Sequence, residues 1–249
     1  MQDSSKRIAL VTGGNKRIGL EIVGSLARAG LCVLLGARNA SLGETAAGRL
    51  RAQQLDVRFV EVDLARPDSI QAAAGTIDGE SGRLDVLLNN AGITDPADAS
   101  PGKASIEAVR RIMDTNFFGA LSVTQAMLSL LRKSASGRIV NVSSGLGSLT
   151  LNGDPAWEFA RVKLIGYNAS KAALNMLTVQ LANELRDTSI KVNSADPGFT
   201  ATDLNQHRWL SDHRTGRGRS HPSRVAAGRW AHRRLLQCAR AESLVGARA

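Results

Sequence analysis

Up to about residue 205 the chain alternates between two spacings of apolar side chains. Short runs of strand length recur as RIALVT (7–12), LCVLLGA (31–37), VRFVEV (57–62), LDVLLN (84–89), GRIVNVS (137–143) and IKVNSA (190–195). Between them, over 18–29, 41–53, 68–77, 106–131 and 167–185, apolar residues fall three and four apart, the mark of a helix with one buried stripe. Continuous apolar runs suit strands buried on both faces, and strand followed by helix, again and again, predicts a parallel sheet covered by helices. Right-handed crossovers make this an α/β, Rossmann-type, doubly wound parallel sheet, whose ligand crevice lies at the carboxyl ends of the strands. No linker or repeat interrupts residues 1–205, so a single domain is expected there.

Charge changes the picture only at one end. The formal net charge is +10, which taken alone suggests a polyanion partner. From Gln206 onward, however, ten arginines face only Asp212 and Glu242, whereas residues 1–205 carry a surplus of +2. The body is nearly neutral and the basicity belongs to the tail, 206–249, which also holds all four histidines. No stretch is long and apolar enough to span a bilayer, and MQDSSKR leads into the first strand without a signal-peptide pattern, so a cytoplasmic protein is expected. Cys32 and Cys238 are too far apart to suggest a disulfide framework, and no metal site is expected.

The first predicted strand runs into TGGNKRIGLE. Glycines at the first strand-to-helix turn let the backbone approach a pyrophosphate, which sits on the free N–H groups and positive dipole end of the helix. The second strand ends in Gly36-Ala37-Arg38, without the acid that would accept hydrogen bonds from an NAD ribose. Arg38, with Lys16 and Arg17 nearby, suits the 2′-phosphate of NADP(H) instead. Further along, GYNASKAALN holds the only tyrosine of the chain, Tyr167, and Lys171 four positions on, one helical turn away on the same face. A free phenol has a pKa of about 10, and a neighbouring ammonium is expected to lower it and fit the group for proton transfer.

These motifs together resemble the short-chain dehydrogenase/reductase family over residues 6 to about 204. Thr12, Gly13 and Gly19 resemble its T-G-x-x-x-G-x-G turn, with Arg17 in place of the middle glycine. The resemblance implies NADP(H) as cofactor, held through Gly13, Asn15, Lys16, Arg17, Ile18, Gly19 and Arg38. It adds Asp63 and Leu64 of VDL near the adenine, and Asn90, Ala91 and Gly92 of the NNAG after strand four. Tyr167 and Lys171 would also touch the cofactor, and Pro197, Gly198, Thr200 and Thr202 of PGFTATD would cover the nicotinamide. Four catalytic residues follow from the same source. Tyr167 is the general acid, Lys171 tunes it and holds the ribose, Ser144 (with Ser143 as the fallback) holds the substrate oxygen, and Asn116 of MDTNFFG keeps a water in the proton relay. Ser144 precedes Tyr167 by 23 positions, farther than in compact members. The intervening LNGDPAWEFARVK resembles the insertion of the carbonyl-reductase-like branch, which predicts an active-site lid with Trp157 and Phe159 at its lip. The implied substrate is a small carbonyl or alcohol compound, and the family also implies a homo-oligomer.

Residues 206–249 do not resemble the family's closing helix and Gly- and Phe-rich last strand. Codons exist for WAHRRLLQC (230–238) that, read one base out of frame, can spell Gly-Pro-Thr-Gly-Gly-Phe-Phe-Ser, which does. The expectation is therefore an out-of-frame tail after about Asn205 and a missing or disrupted last strand, with a genuine basic extension as the rival. The function expected is NADP(H)-dependent hydride transfer to or from a carbonyl/alcohol substrate. The alternative within the class is a 3-oxoacyl-thioester reductase. Outside it stand a non-catalytic dinucleotide-binding protein, disfavoured by the presence of Asn116, Ser144, Tyr167 and Lys171, and a nucleic-acid binder acting through the tail, which predicts salt-sensitive binding lost on truncation at residue 205.

Overall fold

The computed structural model describes residues 6–197. Six parallel strands form one sheet in the order β3-β2-β1-β4-β5-β6: β1 (Ile8–Thr12), β2 (Cys32–Ala37), β3 (Val57–Glu61), β4 (Val86–Asn89), β5 (Arg138–Val142) and β6 (Lys191–Ala195). The order reverses between β1 and β4, and a crevice opens there at the strands' carboxyl ends. All six strands fall inside the predicted runs. The expected last strand, and the tail 206–249 with it, lie outside the described residues.

Strand alternation splits the core into two layers. Ala9, Val11, Val33, Leu35, Leu88 and Val140 face the helices α1 (Arg17–Arg28) and α2 (Ala40–Arg51). Leu10, Leu34, Leu87 and Ile139 face α3 (Pro67–Ser81) and α5 (Ala120–Arg132) on the other side. Successive side chains of a strand point to opposite faces, so runs without a polar residue are what a sheet covered on both sides requires. Among the described residues, no helix is long and apolar enough to cross a membrane.

Two departures from the predicted elements bear on the site. The helix expected over 106–131 is interrupted: α4 (Ile106–Met113) passes into a π-helical stretch, Asp114–Gly119, before α5. The wider turn disturbs the i→i−4 ladder around Asn116, in keeping with the frequent use of π-bulges at functional positions. The segment between β5 and α7 (Ile165–Glu184) holds a 3-10 turn, Gly145–Gly147, and a short helix, α6 (Leu149–Gly153), neither of which its composition announced.

A buried polar chain ties the middle of the sheet to the helices flanking it. The amide of Asn89 donates to Thr124 Oγ1 at 3.0 Å and to Asn141 Oδ1 at 2.8 Å, and the Asn141 amide donates to Thr178 Oγ1 at 2.9 Å. Thr124 lies on α5 and Thr178 on α7, so α5, β4, β5 and α7 are held in one relative position. Buried side-chain hydrogen bonds of this kind fix geometry more than they add stability, and the Asn89 Oδ1 itself is left without a protein partner.

Candidate active site

A cavity of about 580 Å3 runs along the carboxyl ends of β1, β2 and β4 towards α7. Every described residue predicted to meet the cofactor lines it: Gly13 and Asn15 to Gly19 of the β1–α1 turn, Arg38, Asp63, Leu64, Asn90, Ala91, Gly92, Tyr167, Lys171 and Pro197. Gly198, Thr200 and Thr202 lie outside the described residues. Asn39, Leu42, Ile93 and Thr115 also line it and were not foreseen. Asn39 caps α2 by accepting the Leu42 N–H at 2.9 Å, and Leu42 lies in its first turn, a continuation of the Arg38 signal that strand-end motifs alone do not mark.

The β1–α1 turn is built by contact. Thr12 Oγ1 accepts the backbone N–H groups of Asn90 and Ala91 at 3.0 and 3.1 Å, which docks the NNAG segment on the end of β1. The Asn90 amide returns the bond to the carbonyls of Thr12 and Gly13 at 2.9 and 3.2 Å. A Cβ at Gly19 would collide with the Gly13 carbonyl oxygen, so the helix starts close to the turn only because the side chain is absent. Arg17 takes a left-handed backbone, φ 54°, which explains why the resembling motif carries glycine there. The site fits a dinucleotide: a glycine-rich turn opens onto a helix N-terminus, cations stand near the end of β2, and the buried Ser143 hydroxyl in the cavity wall lacks a protein partner.

The four predicted catalytic residues converge at the α7 end of this cavity. Lys171 Nζ, buried, donates to the Val142 carbonyl at the end of β5 at 2.7 Å and stands 5.6 Å from the centre of the Tyr167 ring. Asn116 clasps the Ile93 peptide from both sides, accepting its N–H at 2.7 Å and donating to its carbonyl at 3.0 Å, and its amide also reaches Ser170 Oγ at 3.0 Å. The point where a Gly92 Cβ would stand is 3.4 Å from Asn116 Oδ1 and 3.6 Å from Lys171 Nζ, so the two side chains meet beside the NNAG segment. The two serines differ in their surroundings. Ser144 lies beside the Tyr167 phenol and acts to lower its pKa, whereas Ser143 faces the nucleotide cavity.

The ionisation of this group corrects the sequence argument. Burial, and then the Asp196 carboxylate, push the Tyr167 phenol up to about 12, while the Ser144 hydrogen bond pulls the other way. Burial also pulls the Lys171 ammonium down to about 8, opposed by Asp196. The expected lowering of the phenol does not occur here because both members of the pair are buried, and desolvation penalises each charged form. At neutral pH the arrangement holds a phenol with its proton beside a cationic amine.

The sequence pattern of the short chain dehydrogenase family matches residues 7–212. The chain belongs to this family. Cyclopentanol dehydrogenase of Comamonas is 36% identical over 200 residues, covering 80% of this chain and 75% of that protein. Mouse carbonyl reductase [NADPH] 1 is 43% identical over 143 residues, 57% of this chain and 50% of its own. Among solved structures, a gluconate 5-dehydrogenase from Burkholderia cenocepacia in complex with NADP and tartrate matches with a TM-score of 0.71 and 28% identity, over 80% of this chain and 74% of that one.

In this short-chain dehydrogenase the segment before α7 packs over the serine turn. Trp157 and Phe159 meet edge to face with centroids 5.4 Å apart. Trp157 Cζ2 and Asp196 Oδ2 lie 3.4 and 3.3 Å from the point where a Gly145 Cβ would stand, next to Ser144. Asp196, which also accepts the Gly145 N–H at 2.8 Å, is a member of the site that sequence reasoning missed. Its only sequence signal is its place just before Pro197-Gly198. The 3-10 turn itself packs tightly on α7: a Cβ at Gly147 would lie 2.6 Å from the Lys171 carbonyl carbon.

Proposed function

We propose that this short-chain dehydrogenase reduces a small aldehyde or ketone to the alcohol with NADPH, Tyr167 serving as general acid. The observation that carries the reading is the meeting of Tyr167, Lys171, Ser144 and Asn116 at one end of a cavity whose other end carries Arg38 and Lys16 and no acid at the end of β2. When bound, NADPH supplies the hydride that goes to the carbonyl carbon. Tyr167 gives its proton to the carbonyl oxygen, and its high pKa keeps that proton in place at neutral pH. Ser144 orients the same oxygen through its hydroxyl. Lys171 contributes positive charge next to the phenol as it loses its proton, and Asn116 keeps the Ile93 peptide and the start of the following loop in position. Arg38 and Lys16 receive the 2′-phosphate, in keeping with the cofactors named for the mouse enzyme and the Burkholderia structure.

The test is NADPH oxidation across a panel of ketones, aldehydes and quinones together with a 3-oxoacyl thioester, run on the chain and on Tyr167→Phe. The expected result is turnover of the small carbonyls, lost in the variant while NADPH still binds. Equal turnover by Tyr167→Phe would remove the proposed proton donor. NADPH binding without turnover of any compound would favour a non-catalytic dinucleotide-binding protein, and turnover confined to the thioester would replace the substrate class.

A further inference from the structure

Helix α7 carries Tyr167 in its first turn, yet its own N-cap residue, Leu164, makes no side-chain cap. The cap comes from elsewhere. Asp98, buried in the loop that follows β4, accepts the backbone N–H of Gly166 at 2.8 Å through Oδ1 and that of Tyr167 at 2.9 Å through Oδ2. The adjacent Ala99 carbonyl accepts the N–H of Ile165 at 2.9 Å. Three consecutive N–H groups of the helix that bears the phenol are thus bound by two residues of one loop. A carboxylate at this place also meets the positive end of the helix dipole. The fit is close: a Cβ at Gly166 would stand 3.2 Å from both Asp98 oxygens and 3.0 Å from Ile112 Cδ1.

The loop is itself held firmly. Asp95 receives Arg111 Nε and Nη2 at 3.0 and 2.8 Å, accepts the Ala97 N–H at 2.9 Å, and passes its carbonyl to the Asp98 N–H at 3.0 Å. The Ser105 N–H closes the loop on the Ala97 carbonyl at 3.0 Å. Upstream, the loop begins at Ile93, whose peptide Asn116 clasps and which lines the nucleotide cavity. Asp98 does not line that cavity, so any influence on the reaction passes through the helix.

We infer that Asp98 is a positioning residue for the general acid, capping the catalytic helix from a separate loop so that the Tyr167 phenol is held at the depth and angle the reaction needs. The inference rests on the proposed role of Tyr167 and adds to it the device that places the phenol. It also makes the loop between the NNAG segment and α4 a hydrogen-bonded strut between the nucleotide turn and the proton donor. A side-chain cap on an ordinary helix stabilises it without affecting chemistry; this one sets the turn on which the reacting group sits, where small displacements are costly.

The test uses Asp98→Asn, which keeps the shape and loses one acceptor, with Gly166→Ala as a second variant that leaves the carboxylate in place and crowds it off the helix. Two readouts are taken: steady-state kinetics, and near-ultraviolet titration of the phenol, which is unambiguous because Tyr167 is the only tyrosine. The expected result in Asp98→Asn is a kcat lower by roughly 10–100-fold with the KM for NADPH within about twofold. The phenol midpoint should move down from about 12 towards the ordinary value of about 10 as the turn loosens and water reaches the ring. Gly166→Ala should show the same two changes, smaller in size, and decides the matter if Asp98→Asn does not fold. A folded variant with unchanged kcat and an unmoved midpoint, or a loss shared equally by kcat and NADPH affinity, would overturn the inference. Should the chain turn over no carbonyl at all, the proposed function fails, but the phenol midpoint still reports whether Asp98 places Tyr167.

Discussion

Lys171 donates its hydrogen bond to the Val142 carbonyl, 2.7 Å away, while standing 5.6 Å from the centre of the Tyr167 ring. The ammonium is therefore fixed by the end of β5, one helical turn below the phenol it serves. Its burial has consequences for both stability and rate. A lysine pulled from an ordinary 10.5 down to about 8 carries an ionisation penalty on the order of 3 kcal/mol when charged in the folded protein. Because the folded value lies below the unfolded one, that penalty is present in full below about pH 8 and fades as pH rises towards 10.5. Lys171→Met should raise stability near neutral pH by about 1–2 kcal/mol, since orphaning the Val142 carbonyl takes back part of the gain. Denaturant melts at pH 7 and at pH 10 test this: the gain should shrink at the higher pH, and a variant less stable at both would refute it. In the parent, carbonyl reduction should fall as pH rises through about 8, when the amine loses its charge. A rate flat across that range would show that the charge of Lys171 is not used.

Arg38 sits at the end of β2 in the cavity wall, exposed, where an NAD site would place an acid. Arg38→Asp should therefore weaken NADPH and admit NADH. Losing a charge-assisted contact to phosphate and putting a carboxylate in its place should change the ratio of kcat/KM values by about 100-fold or more. The measurement is that ratio in parent and variant, and a ratio that stays within threefold would mean the 2′-phosphate is read elsewhere.

Arg17 is the one residue of the nucleotide turn whose conformation conflicts with its chemistry. A left-handed backbone costs a residue with a Cβ about 1 kcal/mol, which glycine does not incur. Arg17→Gly should raise the stability of the ligand-free protein by roughly 0.5–1 kcal/mol. It should also lower NADPH affinity, because a cation leaves the wall of the cavity. Thermal melts with and without NADPH separate the two effects. A variant that is destabilised without ligand would show that the arginine side chain supplies more than the backbone loses.

Much of this was legible in the chain itself, for identifiable reasons. The strands were found because a sheet covered on both faces demands continuous apolar runs, and Leu10, Leu34, Leu87 and Leu88 leave no ambiguity. Tyr167 and Lys171 were found because helical spacing places them on one face, and Gly13 and Gly19 because close backbone approach tolerates nothing larger. The ionisation of the pair was misjudged, since burial is set by tertiary packing and does not follow from a Y-x-x-x-K spacing. Asp98 and Asp196 were missed for a related reason. Each acts across elements distant in sequence, Asp98 on α7 and Asp196 on the serine turn, and an aspartate in a loop carries no periodic signal. The π-helical stretch around Asn116 was hidden because its apolar spacing still reads as an ordinary helix.

Trp157 gives the last test, that of the segment inserted between Ser144 and Tyr167. Its ring edge approaches Gly145, one residue from Ser144 beside the phenol, and Phe159 braces it from the side. With the proposed substrate carbonyl bound at Ser144, an indole in that position would exclude water from it and narrow the space for a substrate. Trp157→Ala should lower kcat/KM for the smallest carbonyl substrates by about tenfold, through lost contact and admitted water. The same change should favour bulkier ketones relative to small ones, since it opens the wall beside Ser144. NADPH affinity should stay the same, because Trp157 does not line the nucleotide cavity. Kinetics on a graded series of ketones decide the point. Unaltered kcat/KM values across the series would show that the inserted segment lies away from the substrate, and a loss confined to NADPH binding would assign it to the cofactor side.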